Sequence, residues 1–332
     1  MDVAFSQKAL HLASQVPAIL RRSNPMIDRD KVRESLTGPI TSIRTPFRKD
    51  GTVNFDGLRS TLDFNIAAGS KTMLLTAGDS HYIALSDEEI AEVSRVVVEH
   101  TAKRAMVVTA DRFYHTRQAV AFAEYARQIG SDVHMVLPPD WATSCTVASL
   151  CEHYARVAEV MPVMIVTGVF SARGEAFGLE TLKRVVEDVP NVVAIKDDVL
   201  GPFARKMTLL VRDRWAVFSG GQKQNHLDLH PYGCDGFMST FLSFMPEVTN
   251  RYWSAIQAGD LQEASSVIRD FDHPFFDLLR RSTGGFDAVL HGVFELFGIY
   301  ERWRPKPYYS LNNEEMEQLG GELEAIGVQS SG

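Results

Sequence analysis

Eight short, β-rich runs recur along the 332-residue chain, and they constrain its fold more than any other feature. Their starts lie 21 to 33 residues apart, and the segments between them are mostly charged and amphipathic. Parallel strands need crossover connections of this length, and strands covered on both faces become nearly continuous apolar runs. The runs are ITSIRTPF from Ile40, TMLLTAG from Thr72, AMVVTA from Ala105, DVHMVLPP from Asp132, VMIVTG from Val163, VVAIKDD from Val192, WAVFSGG from Trp215 and GFMSTF from Gly236.

Eight strand, loop and helix units predict an α/β fold of the (β/α)8 barrel type with a C-terminal helical extension. A doubly wound open sheet is the alternative, but the first unit lacks a GxGxxG turn and the count of eight favours closure. We assign residues 38–265 to the barrel and 266–329 to the extension, which contains the Pro-rich link RWRPKPYY. Residues 1–37 are interpreted as a helical N-terminal extension, with a transit peptide as the alternative for their first part.

Composition and charge exclude several classes of partner. The net charge of −8 provides no basic field for nucleic acid or anionic lipid. No apolar run approaches the roughly 20 residues that span a bilayer, so a soluble protein with a small-molecule partner is expected. Three cysteines without CxxC spacing fit a reducing, cytoplasmic setting, and ten histidines without HxH or HExxH spacing predict no metal. No cofactor is predicted.

A lysine ends the sixth run, in NVVAIKDD, where an apolar strand ordinarily gives way to a turn. The C-terminal strand ends of such a barrel carry its active site, which places Lys196 there. Burial disfavours the ammonium form, and the neutral amine can attack a ketone to form a Schiff base. The alternative is a structural ion pair between Lys196 and Asp197 or Asp198.

The second run ends in TAGDS, where Thr76 provides a hydroxyl and Gly78 lets backbone N–H groups approach a ligand closely. Such a turn can hold a carboxylate, although a capped strand end without function has the same composition. His81 and Tyr82 follow this turn directly, so either could face the site; a surface position is the alternative.

These pieces resemble the dihydrodipicolinate synthase and N-acetylneuraminate lyase family of Schiff-base-forming class I aldolases, from Gly38 to about Gly327. The opening GPITSIRTPFRKDGTVNFDGL is similar to the start of that family, and VVAIKDD is similar to its lysine strand. The resemblance therefore implies that Lys196 is the Schiff-base residue.

The family's GTTGES carboxylate loop is LTAGDS here. The resemblance assigns the proton-relaying threonine to Thr76 and a carboxylate-binding position to Ala77. Arg173, 23 residues before the lysine, would contact the distal end of the substrate. Gly221 and Met238 match positions that line the 2-oxo acid pocket.

Two tyrosines of the family's proton relay are absent from this sequence. The same register puts Gly168 where the family carries its catalytic tyrosine, and Asp140 where a neighbouring subunit would lend a second one. A positioned acid or base is worth about 10²- to 10⁴-fold in rate, so a substitute is needed. The candidates are His81, Tyr82, Tyr114 and a bound water.

The resemblance implies a lyase of aldolase or dehydratase type, in which Lys196 forms an imine with pyruvate or a 2-keto-3-deoxy sugar acid. It also implies a homotetramer built as a dimer of dimers. The alternative is a catalytically impaired 2-oxo acid binding or sensing protein on the same barrel. A purely structural lysine would form no imine at all.

Overall fold

The computed structural model describes residues 28–329. Eight parallel strands close into a barrel in chain order, and the last strand pairs with the first through Gly38 and Gly236. The predicted (β/α)8 fold is confirmed, and the open doubly wound sheet is excluded. The strands are β1 (Gly38–Ser42), β2 (Thr72–Leu74), β3 (Met106–Ala110), β4 (Val133–Val136), β5 (Val163–Val166), β6 (Val192–Asp197), β7 (Ala216–Ser219) and β8 (Gly236–Met238).

A helix precedes β1, and others follow the strands and form the C-terminal region. Local signals fix their starts: Ser86 and Glu89, for example, form a reciprocal capping box that satisfies backbone N–H groups at a helix N-terminus. The helices are α1 (Arg29–Leu36), α2 (Phe55–Ala67), α3 (Asp87–Thr101), α4 (Thr116–Ile129), α5 (Val147–Ala158), α6 (Glu175–Asp188), α7 (Gly201–Val211), α8 (Gln222–Leu229), α9 (Pro246–Ala258), α10 (Leu261–Val267), α11 (His273–Arg281), α12 (Gly285–Leu296) and α13 (Asn313–Ala325).

Helix α1 packs beneath the barrel, at the N-terminal ends of the last two strands. Its Val32 and Leu36 are fully buried. Arg33 makes an ion pair of 2.9 Å with Asp235, just before β8, and donates to the Trp215 carbonyl at 2.7 Å. These contacts tie residues 28–37 to the barrel floor. The rest of the predicted N-terminal extension lies outside the described residues.

The C-terminal helices form a second, strongly aromatic core against β8. Phe241 and Phe275 have ring centroids 4.8 Å apart, and Phe244 lies 5.0 Å from Phe297. Such aromatic packing buries large apolar areas. Within this region a π-helical turn, Ile268–Asp272, joins α10 to α11. None of the helices that the structure describes is long and apolar enough to cross a membrane.

The strands are shorter than the apolar runs that predicted them. β2 ends at Leu74, whereas its run continues to Gly78, and β1 ends at Ser42, before the TPF segment. Beyond these ends the chain turns into loops at the C-terminal end of the barrel. The polar residues of the second run therefore lie in a loop.

Candidate active site

Lys196 stands near the C-terminal end of β6, in the barrel wall between Val166 on β5 and Phe218 on β7. Its side chain is only 7% exposed. Side chains two residues apart on a strand share a face, so Lys196 and Asp198 point the same way and Asp197 points the other way. This alternation decides which aspartate meets the lysine.

Asp197 is fully buried and has a structural role in the turn after β6. Its carboxylate accepts a hydrogen bond of 2.8 Å from the Thr167 hydroxyl and bonds of 3.2 Å from the Val199 and Leu200 N–H groups. Burial raises the pKa of Asp197, and these hydrogen bonds partly oppose the rise. Asp197 is thus engaged away from the lysine.

Asp198 makes a direct hydrogen bond and ion pair with the Lys196 ammonium through Oδ1. Two glycines make room for the pair. A Cβ at Gly220 would lie 2.0 Å from Asp198 Oδ1 and 2.7 Å from Lys196 Nζ. A Cβ at Gly168 would lie 3.7 Å from Asp198 Oδ2, an ordinary van der Waals distance. The Asp198 carboxylate therefore lies between two glycines, Gly168 and Gly220.

Thr76 lies just beyond the C-terminal end of β2, across the barrel mouth from β6, and organises the turn that follows. Its hydroxyl accepts from the Asp79 N–H at 3.0 Å, and its own N–H donates to Ser80 Oγ at 3.0 Å. Within residues 28–329 the N–H groups of Ala77 and Gly78 donate no hydrogen bond. Two free amides in one turn are a suitable donor pair for a carboxylate.

A charged network surrounds this turn. Arg44 is buried and bridges Asp79, at 3.1 Å, and Asp287 of α12, at 2.7 Å. Burial alone would raise the pKa of Asp79, but the charges of Arg44 and Lys196 and a hydrogen bond from Ser42 lower it. The C-terminal region thus contributes to the site wall, a contribution that sequence reasoning missed.

His81 is buried against the same helix. Its Nε2 lies 2.9 Å from Nε2 of His291, and burial is the main cause that lowers the pKa of His81 to about 4. Tyr82 is completely buried, and its hydroxyl lies 3.3 Å from Ser94 Oγ on α3. Burial raises the Tyr82 pKa above its ordinary value. The structure thus gives both proposed relay residues partners other than Lys196.

Arg173 is engaged by Asp140, the residue at the position where the resemblance implies the family's second tyrosine. Its Nη1 lies 2.5 Å from Asp140 Oδ2 and 2.9 Å from the Cys145 carbonyl, and its guanidinium stacks 3.8 Å over the Phe177 ring. Burial would raise the pKa of Asp140, but hydrogen bonds from Cys145 and Arg173 lower it. The ion pair will therefore persist at mildly acidic pH.

The two remaining pocket candidates occupy neighbouring strand ends. Gly221 precedes α8, and its carbonyl accepts from the Asn225 amide; a Cβ there would lie 1.7 Å from that amide. Met238 is the last residue of β8, partly exposed, and pairs with Ile40 of β1. Sequence reasoning named Gly221 and overlooked Gly220, where a Cβ would lie 2.7 Å from Lys196 Nζ.

Comparison with known proteins shows the family of the chain. Residues 35–326 match the model of the dihydrodipicolinate synthetase family. The chain belongs to this family. It is 28% identical over 235 residues to a 4-hydroxy-tetrahydrodipicolinate synthase of Azoarcus sp., covering 70% of this chain and 79% of that protein. It is 27% identical over 256 residues to a Streptomyces avermitilis protein named "Probable 5-dehydro-4-deoxyglucarate dehydratase 2", covering 76% and 74%.

Solved structures share the fold at lower identity. YagE, a protein of this family from E. coli K12 crystallised in complex with pyruvate, superposes with a TM-score of 0.75 at 22% identity and covers 88% of this chain and 99% of its own. N-acetylneuraminate lyase from Mycoplasma synoviae gives 0.75 at 17% identity, over 90% and 99%. The chain is thus a lyase of this family at low sequence identity.

Proposed function

We propose that the chain is a Schiff-base-forming lyase, of aldolase or dehydratase type, that acts on pyruvate or a 2-keto-3-deoxy sugar acid through Lys196. The observation that carries this proposal is the position of the lysine: it is nearly buried at the C-terminal end of β6, and its Nζ lies where a Cβ at Gly220 would come within 2.7 Å. Barrel enzymes place their chemistry at this end.

The chemistry follows from an imine at Lys196. Nζ adds to the C2 carbonyl of a 2-oxo acid, and the protonated imine then withdraws electrons from C3. A C3 proton can leave, or the C3–C4 bond can break, because the electron pair moves onto the imine nitrogen. The free N–H groups of Ala77 and Gly78 would hold the carboxylate, beside the Thr76 hydroxyl.

Two further features support this proposal. YagE was crystallised with pyruvate, and relatives named as a 4-hydroxy-tetrahydrodipicolinate synthase and a probable 5-dehydro-4-deoxyglucarate dehydratase align over most of the chain. The net charge of −8 does not favour a polyanionic partner. A homotetramer and a cytoplasmic location complete the proposal.

The experiment is reductive trapping. Incubation with pyruvate and sodium borohydride should add the mass of a reduced pyruvate imine, and peptide mapping should place it on Lys196. Lys196→Ala should gain no adduct. Lys206→Ala, which removes an exposed lysine paired with Glu175, is the matched control and should be labelled like the unmodified protein. An adduct that survives Lys196→Ala would contradict the proposal.

A second candidate is a catalytically impaired 2-oxo acid binding or sensing protein. The observation that favours it is the Arg173–Asp140 ion pair, because the guanidinium assigned to the distal end of the substrate is already engaged. Such a protein would be trapped on pyruvate, yet it would form no product from a panel of aldols and sugar acids. Product formation from any of them would decide for the lyase.

A further inference from the structure

Asp198 differs from Lys196 in its access to solvent. The Lys196 side chain is 7% exposed, whereas 34% of the Asp198 side chain is exposed. One carboxylate oxygen contacts Nζ, and the other faces Gly168, where a Cβ would be 3.7 Å away. The carboxylate therefore contacts the nearly buried amine and is itself accessible to solvent.

We infer that Asp198 is the proton-transfer group that serves Lys196 during imine formation and hydrolysis. The inference rests on the proposed function. Imine formation from an ammonium and a ketone requires two protons to move from nitrogen to the carbonyl oxygen, which departs as water. The N–C bond forms, the C–O bond breaks, and the product is a protonated imine.

Asp198 can carry both protons without net change. It first takes a proton from the ammonium and leaves a neutral amine that attacks the carbonyl carbon. It then gives this proton to the oxygen, receives the second proton from nitrogen, and delivers that one to the departing hydroxyl. The carboxylate ends as it began, and hydrolysis reverses the same steps. Direct contact with Nζ satisfies the geometric requirement for such a group.

The neighbouring ionisable groups are engaged elsewhere. Asp197 is bound to Thr167 and to backbone N–H groups, and Asp79 is paired with Arg44. His81 contacts His291, and Tyr82 contacts Ser94. Among the described residues, Asp198 is the one carboxylate within bonding distance of Lys196 Nζ.

The test measures the rate of imine formation, separately from turnover. Protein is mixed with pyruvate and quenched with borohydride at increasing times, and the adduct on Lys196 is quantified by mass. We expect Asp198→Asn, which keeps the shape of the side chain, to slow adduct formation by about 10²-fold or more. Asp198→Ala should be slowed similarly, and added formate should accelerate it by filling the vacated space.

The outcomes distinguish this inference from the proposed function. If the unmodified protein forms no adduct with pyruvate or longer 2-oxo acids, the proposed function fails and the inference fails with it. If the unmodified protein is trapped and Asp198→Asn is trapped at the same rate, the role of Asp198 is overturned while the function stands. A third outcome would assign Asp198 a purely structural role. In that case Asp198→Ala is trapped slowly, added formate does not accelerate it, and Asp198→Asn is trapped as fast as the unmodified protein.

Discussion

Acidification should destabilise the fold through His81. The His81 ring is 5% exposed and lies between Nε2 of His291, at 2.9 Å, and the Phe47 ring, with centroids 5.7 Å apart. Burial is the main cause that lowers the pKa of His81 to about 4, against about 6.5 for an exposed histidine. At pH 5 the ring is therefore neutral in the folded protein and largely protonated in the unfolded chain.

The size of the effect follows from these two pKa values. Between them the unfolded state binds more protons than the folded state, so the free energy of unfolding falls as the pH falls. The difference corresponds to about 3 kcal/mol once the pH lies below both values, and to about 2 kcal/mol at pH 5. At pH 8 both states are unprotonated, and this contribution disappears.

The perturbation is His81→Asn. His81 has a left-handed backbone with φ 58°, which asparagine tolerates well. Urea unfolding at pH 8 and pH 5 gives two free energies, and their difference should be smaller in His81→Asn by about 2 kcal/mol. The same substitution at His273, which is exposed, should leave that difference unchanged. Equal differences in His81→Asn and the unmodified protein would refute the reasoning.

Two further predictions concern the site itself. Gly220→Ala places a methyl group 2.0 Å from Asp198 Oδ1, so it should displace the carboxylate and slow borohydride trapping at least tenfold. The control is Gly320→Ala, because a Cβ there meets nothing within 4 Å. Unaltered trapping in Gly220→Ala would reject the argument. Asp140→Ala should release the Arg173 guanidinium and lower KM about tenfold, roughly 1.4 kcal/mol, for 2-oxo acids with a distal carboxylate while leaving pyruvate unchanged. A gain that persists in Asp140→Ala combined with Arg173→Ala would contradict that role.

The fold could be predicted because the information that specifies it is local and repeated. Eight apolar runs, separated by segments long enough to connect parallel strands, are compatible with few strand arrangements. Their number favours a sheet that closes into a barrel. The same reasoning placed Lys196 at the C-terminal end of the barrel. The strand boundaries were less accurate, since an apolar run does not show where pairing stops and the loop begins: Thr76 lies beyond the end of β2.

The partners of the site residues could not be predicted in the same way. The Asp140–Arg173 pair joins residues 33 apart, and His81 meets His291 across 210 residues. No periodicity encodes such contacts, which depend on how loops and the C-terminal helices fold over the barrel mouth. The aspartate that pairs with Lys196 is a different case. Side chains alternate between the two faces along an extended chain, so this local rule already favours Asp198 over Asp197.

A second buried lysine clarifies what the pair at Lys196 does. Lys223 contacts Asp272 at 2.7 Å, with side chains 0% and 2% exposed, and burial lowers the Lys223 pKa. That pair is sealed from solvent on both sides. Asp198, by contrast, keeps a third of its side chain exposed at the barrel mouth.

A buried ion pair brings little net stability, because removing both charges from water offsets their attraction. The Lys196–Asp198 pair also requires a glycine at position 220, because a side-chain methyl group there would collide with the Asp198 carboxylate. If stability alone were at stake, a sealed pair like Lys223–Asp272 or an apolar side chain would serve as well. The half-open geometry is instead what proton exchange between an amine and an incoming carbonyl requires, because the carboxylate must reach both.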